Sequence, residues 1–395
     1  MNVLVLNAGS SSIKFSLFNL YDETSDPRLL LDGELSDTAK PQATLEFSQD
    51  DQAKEKRSVP GGGNNAAAIG SVLDTVASAN AGKVDAVGYR VVHPGPHITG
   101  HARVTETLLK ELEAAAAFAP LHDPEAVDLI RETMRRMPGI PHVACFDTVF
   151  HQTMPEEAST YPIPKDLRDR GVKRYGFHGL SCESVVRQLR LAGPLPQRLV
   201  IAHLGSGCSV TAVLDGLSVD TTMGLTPTGG IVMGTRPGDL DPGLMLYLLR
   251  REEGPDAAKN VEHLLNHDAG MVALTGLPND MKAVRQAAAT GNHAALLALK
   301  IFTRGIRKAI GSFAWLMGGL DAIVFTGGIG EHDAATRLEV LAGSDVSINS
   351  SLNQLQDQNL HSISASDSKT AVFAVTAQED LVIALHAKRI VSADA

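Results

Sequence analysis

Basic charge is in short supply: 35 Lys and Arg stand against 45 Asp and Glu, for a net charge of -10. A nucleic-acid backbone or an anionic membrane surface needs a basic face, so binding to either is excluded as a general role and any cationic site must be local. Cysteine is scarcer still. Cys145, Cys182 and Cys208 cannot all pair and are too few for a disulfide framework, which points to buried thiols in a reducing compartment. Long apolar runs are missing too. None approaches the roughly 18 residues of a membrane span, and residues 1–7 carry neither the basic residues nor the apolar length of a secretory leader. We expect a cytoplasmic protein. What remains is ordinary globular material, 395 residues with 44% hydrophobic and 20% charged side chains, enough for two or three domains with cores of their own.

Residues 3–6 are a short β-forming run ending in Asn7-Ala8-Gly9-Ser10-Ser11-Ser12. Residues 13–18 then alternate apolar and polar side chains, which predicts strand, tight turn, strand. Residues 22–65 are polar and contain the breaker Pro60-Gly61-Gly62-Gly63, so short strands and an exposed loop are expected. A helix is expected over 66–79, a buried strand over 84–92 and a helix over 105–120. The next helix is clearly punctuated, with Asp123 as N-cap, Pro124 at its first position and Pro138-Gly139 as its stop. Its Val127, Ile130, Met134 and Met137 form one core-facing stripe. Residues 142–146 read as a strand that delivers Asp147 at its C-terminal end, where open α/β sheets face their ligands.

The second half starts over. Residues 199–203 read as a strand, 204–207 as a small-residue turn, and 208–214 as a second strand closed by the hairpin signal Asp215-Gly216. Val84-Asp85-Ala86-Val87-Gly88-Tyr89 is echoed by Leu320-Asp321-Ala322-Ile323-Val324-Phe325. Two echoes in one order predict a duplicated α/β domain with a longer insertion in the second copy.

Both small-residue turns are built from residues that let backbone N–H groups approach an anion, and Lys14 stands one strand-turn beyond the first. Neither is a P-loop. Thr326-Gly327-Gly328-Ile329-Gly330-Glu331 follows a buried strand but lacks the dinucleotide glycine spacing, which weakens a dehydrogenase reading. Arg90 lies inside an apolar run, and Arg236 lies in Met233-Gly234-Thr235-Arg236-Pro237-Gly238-Asp239. A charge so placed demands an anionic partner, either a structural carboxylate or a substrate. Asp147 and Glu379 are the acids to pair with a cation or Mg²⁺. His93, His97 and His101 have zinc-like spacing, but Pro94, Gly95 and Pro96 prevent the helix that would align them. His178, in the glycine-flanked Tyr175-Gly176-Phe177-His178-Gly179, has no helical stripe to absorb it.

These segments, taken in order, resemble the acetate kinases, the acetokinase family within the superfamily of sugar kinases, chaperones and actin. The motifs are NAGSSSIKF, GYRVVHPG, PLHDP, FDTVFH, RYGFHG, HLGSGCSV, MGLTPTGGIVMGTRPGDLDPG, FTGGIGE and AQEDLVIA, spanning Asn7 to Glu379. The resemblance implies two duplicated actin-like, ribonuclease H-like α/β domains. The first would comprise residues 1–150 with 381–395 and the second residues 151–380, with an active-site cleft between them. It implies a homodimer, and reversible Mg²⁺-dependent transfer of the γ-phosphoryl of ATP to acetate, giving acetyl phosphate and ADP. Such a transfer needs cations and donors around the moving group more than a nucleophile.

By the same resemblance Arg90 orients the acid carboxylate, Arg236 the phosphoryl, and His178 stabilises that phosphoryl in the transition state. Asn7, Asp147 and Glu379 position Mg²⁺. Ser10, Ser12, Lys14 and the turn His203, Leu204, Gly205, Ser206 and Gly207 line the phosphate path. Asp280, Lys282, Gly327, Gly328, Ile329, Gly330 and Glu331 belong to the nucleotide. Val92, Leu121, Phe177 and Pro227 form an apolar acid pocket. The chain departs from the family at Ser206, Lys282 and His332, which bear on nucleotide preference, and at Asp123. Kinases for propionate or butyrate are the nearest rivals, and a nucleotide-driven clamp without acid substrate is the rival of another class.

Overall fold

The structure, a computed structural model, describes residues 1–9, 12–21, 27–38, 40–49, 52–60, 65–79, 82–115, 123–252, 254–355 and 359–393. The chain divides into two units, Met1–Val149 with Gln378–Ala395, and Phe150–Ala377.

Eight strands make the sheet of the first unit: β1 Asn2–Gly9, β2 Ser12–Asn19, β3 Arg28–Ser36, β4 Gln42–Gln49, β5 Glu55–Pro60, β6 Ala86–Val91, β7 Ala102–Arg103 and β8 His142–Phe146. Their order is β5-β4-β3-β2-β1-β6-β8-β7. β1 to β5 are antiparallel neighbours, whereas β6 runs parallel to β1 and β8 parallel to β6. Residues alternate between the two faces of such a sheet. Leu4, Leu6, Val87, Tyr89 and Val91 join one core with helices Asn65–Ser78, Glu106–Ala115 and Asp123–Arg136. Val5, Asn7, Gly88 and Arg90 therefore share the opposite face. Helix Glu379–Ala393 covers it, so closely that a Cβ on Gly88 would come within 2.6 Å of Ile383. This helix starts at Glu379, two residues ahead of the 381 expected as the first unit's return, so Glu379 and Asp380 form its first turn.

The second unit carries β9 Arg198–Leu204, β10 Cys208–Leu214, β11 Leu217–Thr221, β12 Ala322–Thr326, β13 Leu360–Ser362 and β14 Ala371–Val375, ordered β11-β10-β9-β12-β14-β13. β10 and β11 are antiparallel additions to β9, and β12 and β14 run parallel to it. Asp215 and Gly216, at φ 53 and 83, make the expected hairpin turn. Leu199, Ile201, Val213, Val324 and Val375 pack with Cys182, Val185 and Leu189 of helix Gly179–Ala192.

Strip the edge strands, and both sheets read third-second-first-fourth-fifth with the same directions, the ribonuclease H-like order. The predicted duplication is present. The echoed segments form β6 and β12, the fourth strand of each copy, and the insertion before that strand is longer in the second copy. Within residues 22–65, β3, β4 and β5 run longer than the short strands expected, with only alternate residues such as Leu31, Leu35, Leu45 and Phe47 buried, and Gly61 to Gly63 of the expected loop lie outside the described residues. The helix expected over 105–120 is described as Glu106–Ala115, and the rest of its alanine tract lies outside the described residues. Cys145, Cys182 and Cys208 are buried thiols. Among the described residues no helix is long and apolar enough to cross a membrane.

Candidate active site

In the first unit the site grows from strand alternation. Tyr89 and Val91 point into the core, so Arg90 faces helix Glu379–Ala393. Its guanidinium donates through Nη2 to Asp147 Oδ2 and through Nη1 to Asn7 Oδ1 at 3.4 Å, with Nε 3.8 Å from Glu379 Oε2. Asp147 follows β8 directly, is 1% exposed, and donates its backbone N–H to the Val91 carbonyl at 3.1 Å. Burial alone would depress the Arg90 pKa. The carboxylates of Asp147, then Glu379 and Asp380, outweigh it and hold the group above its ordinary value.

Asp380 is an acid that the sequence reading did not single out. Burial raises its pKa, and an O–H from Ser16, 2.7 Å from Oδ2, partly offsets the rise. The signal was the acid pair in AQEDL opposite an inward serine of β2. Lys14 is exposed and pairs with Asn7 across β1 and β2, and Ser12 pairs with Gly9. Val92 is 8% exposed at the end of β6. Ser10 and Leu121 lie outside the described residues.

In the second unit the aromatic turn is built first. Tyr175 and Gly176 both donate backbone N–H groups to the Gly224 carbonyl, at 3.0 and 3.3 Å. His178 then caps helix Gly179–Ala192 in a left-handed conformation, φ 59 and ψ 27. Its ring stacks on His203 with centroids 4.1 Å apart, and its Nδ1 lies 3.0 Å from Ser209 Oγ. His203, on the same face of β9 as Ile201, meets Ser181 of that helix, Nδ1 to Oγ 2.8 Å. Arg236 donates from Nη1 to the Pro227 carbonyl at 2.8 Å.

These groups converge on the turn 204–207. A Cβ on Gly207 would stand 3.1 Å from His178 Nε2 and 3.7 Å from Arg236 Nη1, so glycine keeps this approach open. The other glycine segment lies alongside, at the C-terminal ends of parallel β9 and β12. Gly327 has φ 74, and a Cβ there would meet the Leu204 carbonyl at 2.8 Å. An apolar pocket lined by Met233, Met271 and Phe302 has Gly205, Asn279, Asp280 and Ile329 among its walls. Cys208 also lines it, but burial pushes that thiol up to about 12, so it stays protonated and is no nucleophile.

Several expected nucleotide residues have other visible tasks. Asp280 accepts the Lys282 N–H as a helix cap, the Lys282 side chain is exposed, and Glu331 Oε1 accepts from the Ala377 N–H at 3.1 Å. Leu204 is fully buried and offers only backbone. Phe177 is 1% exposed. Arg337, fully buried, was missed: it donates to the Gly330 and Glu331 carbonyls at 2.7 and 2.8 Å and to Asn353, pinning the glycine segment from below. Its local sequence gives no signal, since an arginine on a short helix ordinarily faces water.

The arrangement is two clusters of opposite character. One is a set of carboxylates around an arginine; the other is cations, imidazoles and backbone turns suited to phosphate. The family model described as "Acetokinase family" matches residues 2–385. An acetate kinase from Halothermothrix orenii is 38% identical over 99% of this chain and 100% of its own. The crystal structure of Porphyromonas gingivalis acetate kinase superposes with a TM-score of 0.86 at 32% identity, covering 99% of both chains. A propionate kinase from Francisella tularensis gives 0.88 at 34% identity, covering 98% of this chain and 99% of its own.

Proposed function

The chain belongs to the acetokinase family and is a phosphotransferase acting on a carboxylate; from this premise we propose that it moves the γ-phosphoryl of ATP to acetate, giving acetyl phosphate and ADP. The observation that carries the reading is the convergence of Arg236 and His178, stacked on His203, around Gly207. A phosphoryl group in flight between two oxygens spreads charge over its other oxygens, and preorganised donors that meet this charge lower the barrier. Arg236 and His178 take that role, and the turn 204–207 with Gly327 to Gly330 takes the nucleotide phosphates, alongside Ser10, Ser12 and Lys14. The pocket at Asp280 and Ile329 takes the base.

In the first unit Arg90 orients the acid carboxylate, and Asp147 and Glu379 fix the arginine. We assign Val92, Leu121, Phe177 and Pro227 to the acid's alkyl group. The donor set fits Mg²⁺: carboxylate and amide oxygens are its hard ligands, and the acids around Arg90 outnumber its single charge. Asn7, Asp147 and Glu379 would hold the ion, which when bound neutralises phosphate charge. We propose direct in-line transfer between the two substrates, with no side chain as intermediate carrier. We further propose a homodimer and a cytoplasmic enzyme. Helix Pro242–Arg251 supports the first, exposing Leu244, Leu246, Tyr247 and Leu249.

The similarity to a propionate kinase keeps the three-carbon acid as a second reading. A matrix of two-, three- and four-carbon acids against nucleotides, scored for acyl phosphate, tests both. We expect the highest kcat/KM with acetate and ATP. A maximum at four carbons, or nucleotide turnover indifferent to acid, would sink the proposal.

A further inference from the structure

The second unit holds a histidine that no step above uses. His151 is 1% exposed, with Nε2 2.9 Å from the Phe177 carbonyl oxygen and Nδ1 2.9 Å from Ser218 Oγ. A carbonyl oxygen only accepts, so Nε2 carries the proton and Nδ1 of the neutral ring accepts from the Ser218 hydroxyl. Thr153 also donates to the Ser218 carbonyl at 2.8 Å, tying the histidine's own turn to β11 a second time. The turn rests on the imidazole itself: Gly176, at φ 74, has room for no Cβ, which would stand 2.8 Å from the His151 ring.

The carbonyl that His151 holds is the one preceding His178. That residue sits at φ 59, a conformation an L side chain keeps only when its surroundings hold it, at roughly 1–2 kcal/mol. Releasing the Phe177 carbonyl would free this peptide to rotate, let φ relax to the right-handed region and swing the imidazole away from Gly207. We propose that His151 is a positioning residue for phosphoryl transfer: its Nε2–H pins the Phe177 carbonyl and so holds the left-handed turn that aims His178. The proposal rests on the reading of His178 as the group that meets the transferring phosphoryl.

Steady-state kinetics of His151→Phe, His151→Gln, His178→Ala and the His151→Phe/His178→Ala double variant test it. His151→Phe should lower kcat about 30-fold while KM for ATP stays within about twofold, because geometry is lost and nucleotide binding is not. His151→Gln, whose amide N–H reaches the same carbonyl, should recover most of that loss. In the His178→Ala background His151→Phe should change kcat by less than about twofold, as expected of two residues acting through one another. Near-normal kcat in His151→Phe, no recovery in His151→Gln, or an undiminished loss in the double variant would each overturn the proposal while leaving the His178 reading standing. Undiminished kcat in His178→Ala would bring down that reading and the proposal together. Should His151→Phe fail to fold, Ser218→Ala carries the test, with ring tautomers read by ¹⁵N NMR. A mixed tautomer with a kcat loss of about three- to tenfold supports the role, and a mixed tautomer with full kcat refutes it.

Discussion

The two units share one strand order and differ in the charge they gather on it. The first collects Asp147, Glu379 and Asp380 around Arg90, on the sheet face covered by its last helix. The second gathers Arg236, His178 and His203 with two glycine segments at the ends of β9 and β12. The same scaffold thus carries a carboxylate-rich set in one copy and a set of arginine, imidazoles and glycine turns in the other. What distinguishes them is the side chains at strand ends and the inserted segments, which is why fold alone never named the chemistry.

If that contrast is functional, its strongest test is the second unit's cation. Arg236→Ala should lower kcat by roughly 10³-fold, the scale of an arginine meeting transition-state charge. A loss under about tenfold in stopped-time acyl phosphate assays would make Arg236 structural. The first unit should answer differently. Glu379→Gln should raise the Mg²⁺ concentration for half-maximal rate by about 10- to 100-fold, read from a metal titration, whereas Arg236→Ala should leave that midpoint unchanged. A smaller effect belongs to the acid's alkyl group: Val92→Ala should shift the propionate-to-acetate ratio of kcat/KM about tenfold toward propionate, one methylene's worth of discrimination.

A separate effect, on stability instead of turnover, is one the two units share. Burial holds His151 down to about 4 in the second unit, and burial, then His386 and Arg389, hold His101 down to about 3 in the first. Each ring is neutral when folded, so their stabilising contribution is complete above about pH 6.5. It is lost as pH falls toward those values, because the unfolded chain takes up protons the folded one refuses. Urea midpoints should therefore drop between pH 7 and pH 5, and His151→Gln should shrink that drop. An unchanged pH dependence in the variant would remove His151 from the account.

Legibility in the sequence followed contact distance. β1, β2, β9 and β10 and the Asp215-Gly216 turn are local, so alternation and turn chemistry disclosed them. Arg90 and Asp147 stood out because a charge in or just after an apolar strand is physically anomalous. Glu379 and Arg236 were readable only as a cation's partner and an anion's partner, and their specific roles, with those of Asn7 and His178, came from family resemblance. The bond between Ser16 and Asp380 joins residues at opposite ends of the chain. Arg337 binds carbonyls on another segment, and His151 acts on a turn some 26 residues away. Such pairings exist only once tertiary structure brings the partners together, and no local period announces them. β3 to β5 were undervalued because strands with one wet face bury only alternate residues.

The segment that begins at Gln378 has a consequence for biosynthesis. The first unit's sheet leaves the ribosome early, yet the helix that covers one of its faces, and brings Glu379 and Asp380, is translated after the whole second unit. A nascent chain therefore carries an unfinished first half until that segment is made, and a chain cut ahead of Gln378 would keep the second unit whole while the first lacked Glu379 and Asp380.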